Sequence, residues 1–217
     1  MGQIKIGRMV LGSCGTNTYF IYREDEKRAI VVDPADYGNH IYDTLKKNGL
    51  QVAGIILTHG HFDHIWGVEA LKKAAEEEQK EGILLYANEA EKELLSSAEM
   101  NISARAGRAC TLKADVYLKD GQRVEISKIP FQMIATPGHT IGGCCYYFEE
   151  EGILISGDTL FQESIGRTDF ATGSESQLIR SIREKLFCLP EETKVYPGHG
   201  DSTTIGNEKK YNPFCQM

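Results

Sequence analysis

Five of the six histidines stand in three short contexts that could hold metal. His59, His61 and His64 lie in Thr58-His59-Gly60-His61-Phe62-Asp63-His64, His139 in Pro137-Gly138-His139-Thr140, and His199 in Pro197-Gly198-His199-Gly200. Asp158, in Gly157-Asp158-Thr159, follows an apolar run in the same way. His40 is the exception, placed on a helical pattern and expected at the surface. At this composition an H-x-H-x-D-H string arises by chance in roughly one chain in 5,000. These residues are therefore read as metal ligands rather than scattered loop polar groups. Imidazole and carboxylate without thiolate suit Zn2+, Fe2+ or Mn2+, with Zn2+ the first expectation.

The spacing also bears on how many ions are held. His59 and His61, two apart in extended chain, point the same way and can share one ion. Asp63 and His64 come where the chain turns into a helix and can face a neighbouring position. A single catalytic zinc takes about three protein ligands. His59, His61, Asp63, His64, His139, Asp158 and His199 are too many for one ion and fit two. The arithmetic assigns His59, His61 and His139 to one ion and Asp63, His64 and His199 to the other, with Asp158 between them.

Each motif follows a short apolar run that reads as a strand. Tyr19–Tyr22 and Arg28–Asp33 are rich in β-branched and aromatic residues across the turn 24–27. A helix is expected over Asn39–Asn48, a strand over Ala53–Leu57, then one helix from near Asp63 towards Lys80. Ile83–Tyr86 reads as strand and Asn88–Leu95 as a helix capped by Asn88. The segment 96–113 shows no clear pattern. Val116–Leu118 and Arg123–Ile126 flank Lys119-Asp120-Gly121-Gln122, which reads as a hairpin. Strands are expected over Phe131–Thr136, Cys144–Phe148 and Gly152–Ser156. A helix over Ser174–Leu186 should turn Ile179, Ile182 and Leu186 inward. Strands and helices alternate with hairpins between, which favours layered mixed sheets over a doubly wound parallel one.

A chain of 217 residues can bury one sizeable core, so residues 1–217 are expected to form a single domain. The net charge of −7 argues against nucleic acid as a partner, since that binding needs clustered Lys and Arg. No apolar run approaches the ~18 residues of a membrane helix, and a cytoplasmic protein is expected. The six cysteines show no C-x-x-C spacing and read as reduced thiols. Cys144 and Cys145 should face opposite sides of a strand. Trp66 reads as a core anchor.

The combination Thr58-His59-Gly60-His61-Phe62-Asp63-His64, Pro137-Gly138-His139-Thr140, Gly157-Asp158 and Pro197-Gly198-His199-Gly200 resembles the metallo-β-lactamase superfamily over nearly the whole chain. The resemblance implies a four-layer αββα sandwich of mixed sheets, with the metals at one edge. Ser164-Ile165-Gly166-Arg167-Thr168-Asp169, Tyr196-Pro197-Gly198-His199-Gly200 and Thr203-Thr204-Ile205-Gly206-Asn207-Glu208 look like the glyoxalase II (hydroxyacylglutathione hydrolase) branch, short bacterial type. Asp158 stands where zinc β-lactamases would place another ligand, so β-lactam hydrolysis is not the role implied. Only Asp201–Met217 follow the last ligand, with no counterpart of the helical region that grips glutathione in longer members. Lys209, Lys210 and Tyr211 read as a solvated tail, and the thiol carrier stays open.

Two divalent ions sharing a water lower its pKa from about 15.7 towards 7. The reaction implied is hydroxide attack on a thioester such as S-lactoylglutathione or a related hydroxyacyl thioester. Asp63 and Asp158 are the catalytic carboxylates, the first orienting the hydroxide and the second offsetting the metals' charge. Arg167 and Asp169 read as a buried or partly buried ion pair shaping the loop after Asp158. Asn17 resembles a family loop near the site, and Asp33 is placed to orient a ligand histidine from behind. The rival readings are a mononuclear iron persulfide dioxygenase, a lactonase, and a non-catalytic protein that metal merely stabilises. The partner is a small-molecule substrate in every enzymatic reading; oligomeric state is not legible.

Overall fold

The computed structural model describes residues 2–216. Its first sheet has the order β1 (Ile4–Leu11), β2 (Thr16–Arg23), β3 (Arg28–Val32), β4 (Gln51–Ile56), β5 (Leu85–Asn88), β6 (Val116–Leu118). The first three strands are antiparallel and the last four mutually parallel. Strands β7 (Arg123–Ile126), β8 (Ile129–Ala135), β9 (Cys144–Phe148) and β10 (Ile153–Gly157) run antiparallel in the second sheet. The small pair β11 (Leu160–Phe161) and β12 (Ser164–Ile165) follows. Then β13 (Lys194–Pro197) joins β10 in parallel and β14 (Thr203–Thr204) closes the edge.

Strand β3 shows why the sequence forms layers. Ala29 and Val31 pack outward under helices α1 (Gly38–Lys47) and α3 (Val68–Gln79), against Ile41, Leu45 and Leu71. Ile30 and Val32 point inward and meet Phe131, Met133, Tyr146 and Ile155 of the second sheet. A strand covered on both faces is apolar throughout, and each Val or Ile side chain in it contributes about 1.5–3 kcal/mol on full burial. On the far side Leu178, Ile182 and Leu186, from α5 (Glu175–Ser181) and the wide turn Ile182–Leu186, cover Tyr147, Leu154 and Val195. The result is the αββα sandwich. Cys144 lies between the sheets and Cys145 under α5, on opposite faces as expected, and all six thiols are free.

Several local expectations are corrected. The helix expected from Asp63 to Lys80 is two helices, α2 (Phe62–Ile65) and α3, broken at Gly67. Gly67 N–H donates to Pro34 O (2.8 Å), and a Cβ there would come within 2.8 Å of that same oxygen. Strands 116–118 and 123–126 do not form a hairpin; the chain crosses between sheets through 119–122. The hairpin is β7–β8, turning at Ser127 and Lys128, which both have positive φ (52° and 62°). Leu178, not Ile179, faces the core. Trp66 is a half-buried surface residue stacked under Arg108 at 4.2 Å, not a core anchor. Residues 209–211 belong to helix α6 (Ile205–Tyr211), not a tail. The short helix α4 (Lys92–Leu95) follows a turn over Glu89–Glu91, which Asn88 caps. Among the described residues no helix is long and apolar enough to cross a membrane.

Candidate metal centre

Four strand ends deliver the candidate ligands to one edge. Beyond β4 the chain stays extended through His59 and His61, whose rings lie 4.8 Å apart, and His61 (φ −65°, ψ 149°) leads into α2. Asp63 and His64 sit in that single helical turn. The second sheet supplies His139 after β8, Asp158 after β10 and His199 after β13. Glycine is required at position 198: a Cβ there would fall 2.2 Å from Asp158 Oδ1 and 2.7 Å from His64 Cε1.

The donors gather into the groups His59/His61/His139 and Asp63/His64/His199, with a third group, Asp33/His59/His64, overlapping both. In the first, His139 Nε2 lies 2.8 Å from His61 Nδ1 and 3.2 Å from His59 Nε2. In the second, Asp63 Oδ2 lies 3.4 Å from His199 Nε2 and 3.7 Å from His64 Nε2. Asp158 sits between: Oδ2 is 3.6 Å from His139 Nε2 and 3.5 Å from His199 Nε2, and Oδ1 is 3.5 Å from His64 Nε2. Tetrahedral zinc with bonds of about 2.0–2.1 Å holds its donors about 3.3 Å apart, within this spread. His64 Nε2 and Asp158 Oδ1 are buried without a hydrogen-bond partner, a cost that a cation would remove. The residues fit a metal.

Charge divides the two sets. Burial and neighbouring imidazoles hold His59 far below the usual histidine value, and burial depresses His61 to about 3 and also lowers His139. Burial opposes protonation of His64 too, but Asp158, Asp63 and Asp33 outweigh it and raise this histidine to about 9. Against the same opposition, Asp158 and Asp63 lift His199 to about 10. Asp158, although buried, is held down to about 2 by His64, His199 and His139, and Asp63 is lowered further.

Four of the candidate ligands, Asp63, His64, His139 and His199, are held from behind directly or through their loops. Asp33 Oδ2 lies 2.9 Å from His64 Nδ1 and accepts from the Thr58 hydroxyl at 2.6 Å. A carbonyl, Arg167 O, receives His139 Nδ1–H at 2.7 Å. With Nδ1 occupied in both rings, Nε2 is the nitrogen left to face a cation. Thr16 Oγ1 donates to Asp63 Oδ2 at 2.9 Å. Asn17 Nδ2 donates to Pro197 O (2.9 Å) and Gly200 O (3.0 Å), so it cinches the His199 loop. The Arg167–Asp169 pair is bidentate (2.7 and 2.6 Å) but exposed at 63% and 66%, not buried. It is the Arg167 main chain that touches a ligand.

Residues 11–199 match the family model of the metallo-beta-lactamase superfamily, a span that includes every candidate ligand. The chain belongs to this superfamily. The probable metallo-hydrolase YqgX of Bacillus subtilis is 37% identical over 213 residues, covering 97% of this chain and 97% of YqgX. The hydroxyacylglutathione hydrolase GloC of Haemophilus influenzae is 34% identical, covering 88% of this chain and 89% of GloC. A crystal structure of BLEG-1, described as a B3 metallo-beta-lactamase, superposes with a TM-score of 0.91 at 38% identity, over 98% of this chain and 100% of that one. TTHA1623, solved in a di-iron-bound form, gives 0.83 at 31% identity, over 96% and 99%.

In this member of the superfamily the donors open onto a pocket of ≈ 320 Å³. Its wall includes Cys14, Phe62, Ile102, Arg167 and Phe170 beside the ligands. Ile102 comes from the segment without a legible pattern, and Phe62 N–H pins it through Asn101 O at 3.0 Å. Sequence reasoning missed Thr16, Ile102 and the buried Glu91; none carries a local signal, because each acts on a residue far away in the chain.

Proposed function

We propose that this chain is a metal-dependent hydrolase with a binuclear centre, acting on hydroxyacyl thioesters. The observation that carries the two-ion reading is Asp158, whose carboxylate stands between two complete three-donor sets. The thioester assignment rests on the hydroxyacylglutathione hydrolase among the relatives and on the 164–169 and 196–208 motifs. When bound, two divalent ions supply an activated water and positive charge for a developing oxyanion. Asp63, lining the pocket and held by Thr16, is suited to orient the attacking water. Phe62, Ile102 and Phe170 form an apolar wall that limits water and receives the acyl portion. Arg167 is the one Lys or Arg among the lining residues. Its guanidinium stacks on Phe170 at 4.4 Å and is already paired with Asp169. That arrangement gives glutathione carboxylates no free cation at the pocket and favours an acyl group over the thiol carrier as the recognised part.

The similarity to BLEG-1 supports a second reading, β-lactam hydrolysis. A substrate screen with zinc-, manganese- and iron-loaded protein separates the two. Turnover of hydroxyacyl thioesters at least about 100-fold above β-lactams and lactones is expected. A reversed preference would replace the proposal, as would oxygen uptake with a persulfide and no hydrolysis.

A further inference from the structure

Resting on the two-ion reading, we infer that Glu91 is a positioning residue for the first donor set: its buried carboxylate ties the loop of His59 and His61 to the loop of His139. Glu91 lies in the turn before α4 and is 1% exposed. Oε2 accepts from Gly60 N–H at 2.9 Å, and Oε1 accepts from Gly142 N–H at 2.8 Å and from the Thr140 hydroxyl at 2.6 Å. Gly60 separates His59 from His61, and Thr140 follows His139. One carboxylate thus grips main chain on both sides of the cleft between the sheets.

The chemistry of the group suits this task. Three donors converge, and only an ionised carboxylate accepts from all of them without offering a hydrogen of its own. Close packing supports the same role. A Cβ on Gly60 would lie 3.1 Å from Glu91 Oε2, and one on Gly142 would lie 2.8 Å from Glu91 Cγ. Asn88 braces the far side, its Nδ2 donating to Gly142 O at 2.8 Å while Oδ1 accepts from Ala90 N–H at 3.2 Å. The sheets are also joined here by Cys144 N–H to Thr58 O at 2.9 Å. That bond fixes the strand end before the ligands begin. Glu91 acts beyond it, between His59 and His61, where it sets the separation of His61 Nδ1 from His139 Nε2. The second set is held by Thr16, Asp33 and Asn17, so loss of Glu91 should act on the first set selectively.

The test is zinc titration of metal-free wild type and Glu91→Gln against a chromophoric chelator, with circular dichroism and melting of the metal-free proteins alongside. In Gln an amide N–H must face one of the three donors. The expected result is a folded variant whose first-set affinity falls about 10- to 100-fold while the second-set affinity holds. Repeating the titration in a His199→Ala background, which disables the second set, assigns the affected affinity. Two ions in wild type with both affinities unchanged in Glu91→Gln, or both falling in step, would overturn the positioning role and leave the two-ion reading standing. A single ion in wild type, weakened in Glu91→Gln, would sink the two-ion reading and keep the role. Should Glu91→Gln not fold, Thr140→Val removes one donor at constant shape. Severalfold weakening of the first set in that variant supports the role, and unchanged affinity overturns it.

Discussion

The two donor sets share Asp158 yet are built on opposite electrostatic plans. His59, His61 and His139 are each no more than 3% exposed, and burial drives all three towards the neutral form. His64 is buried as deeply and Asp63 and His199 are half-buried, but there the carboxylates outweigh burial and favour protonated imidazole. A metal entering the first set meets imidazoles already neutral. One entering the second set must displace protons, so its affinity is tied to pH. The difference teaches that burial acts on both sets, and that carboxylates reverse its effect in only one.

Removing what the sets share should have the largest effect. Asp158→Asn takes away the carboxylate between them, and hydrolysis should fall at least about 100-fold, with zinc content dropping below that of the wild type. Retained activity with both ions bound would show that the sets work independently. Asp33→Asn should separate them instead. It loosens His64 from behind and should weaken the second set about 10- to 100-fold, leaving the first close to wild type by zinc titration.

pH sharpens the contrast further in metal-free protein. His61 is depressed to about 3, so its contribution to stability is present above the ordinary imidazole value of about 6.5 and is lost as pH falls from there through about 3. His64 and His199 are raised to about 9 and 10, so theirs is present below about 6.5 and lost as pH rises through 9–10. Melting temperature should therefore peak between these limbs. His61→Asn should flatten the acid limb and His199→Asn the alkaline one; identical profiles for both variants would remove the electrostatic distinction.

The legible and illegible parts of the molecule divide along the same physical line. The candidate ligands could be picked out because His and Asp directly after apolar strands have few structural uses, and Val32-Asp33-Pro34 drew attention to Asp33. Thr16 and Glu91 could not, since they act across 47 and 31 residues of chain on Asp63 and Gly60. The layered fold was read from strands and helices that alternate with hairpins between them. The hairpin was misread because Asp120-Gly121 carries a turn signal where the chain changes sheets. The real turn uses Ser127 and Lys128, residues seldom chosen for positive φ.

The most direct test of the central claim is metal content after zinc loading and gel filtration near neutral pH, in wild type, His61→Asn and His199→Asn. Two zinc ions per chain in wild type, and about one in each variant, is the result expected of two sets sharing Asp158. One ion per chain in wild type, unaffected by His199→Asn, would contradict it.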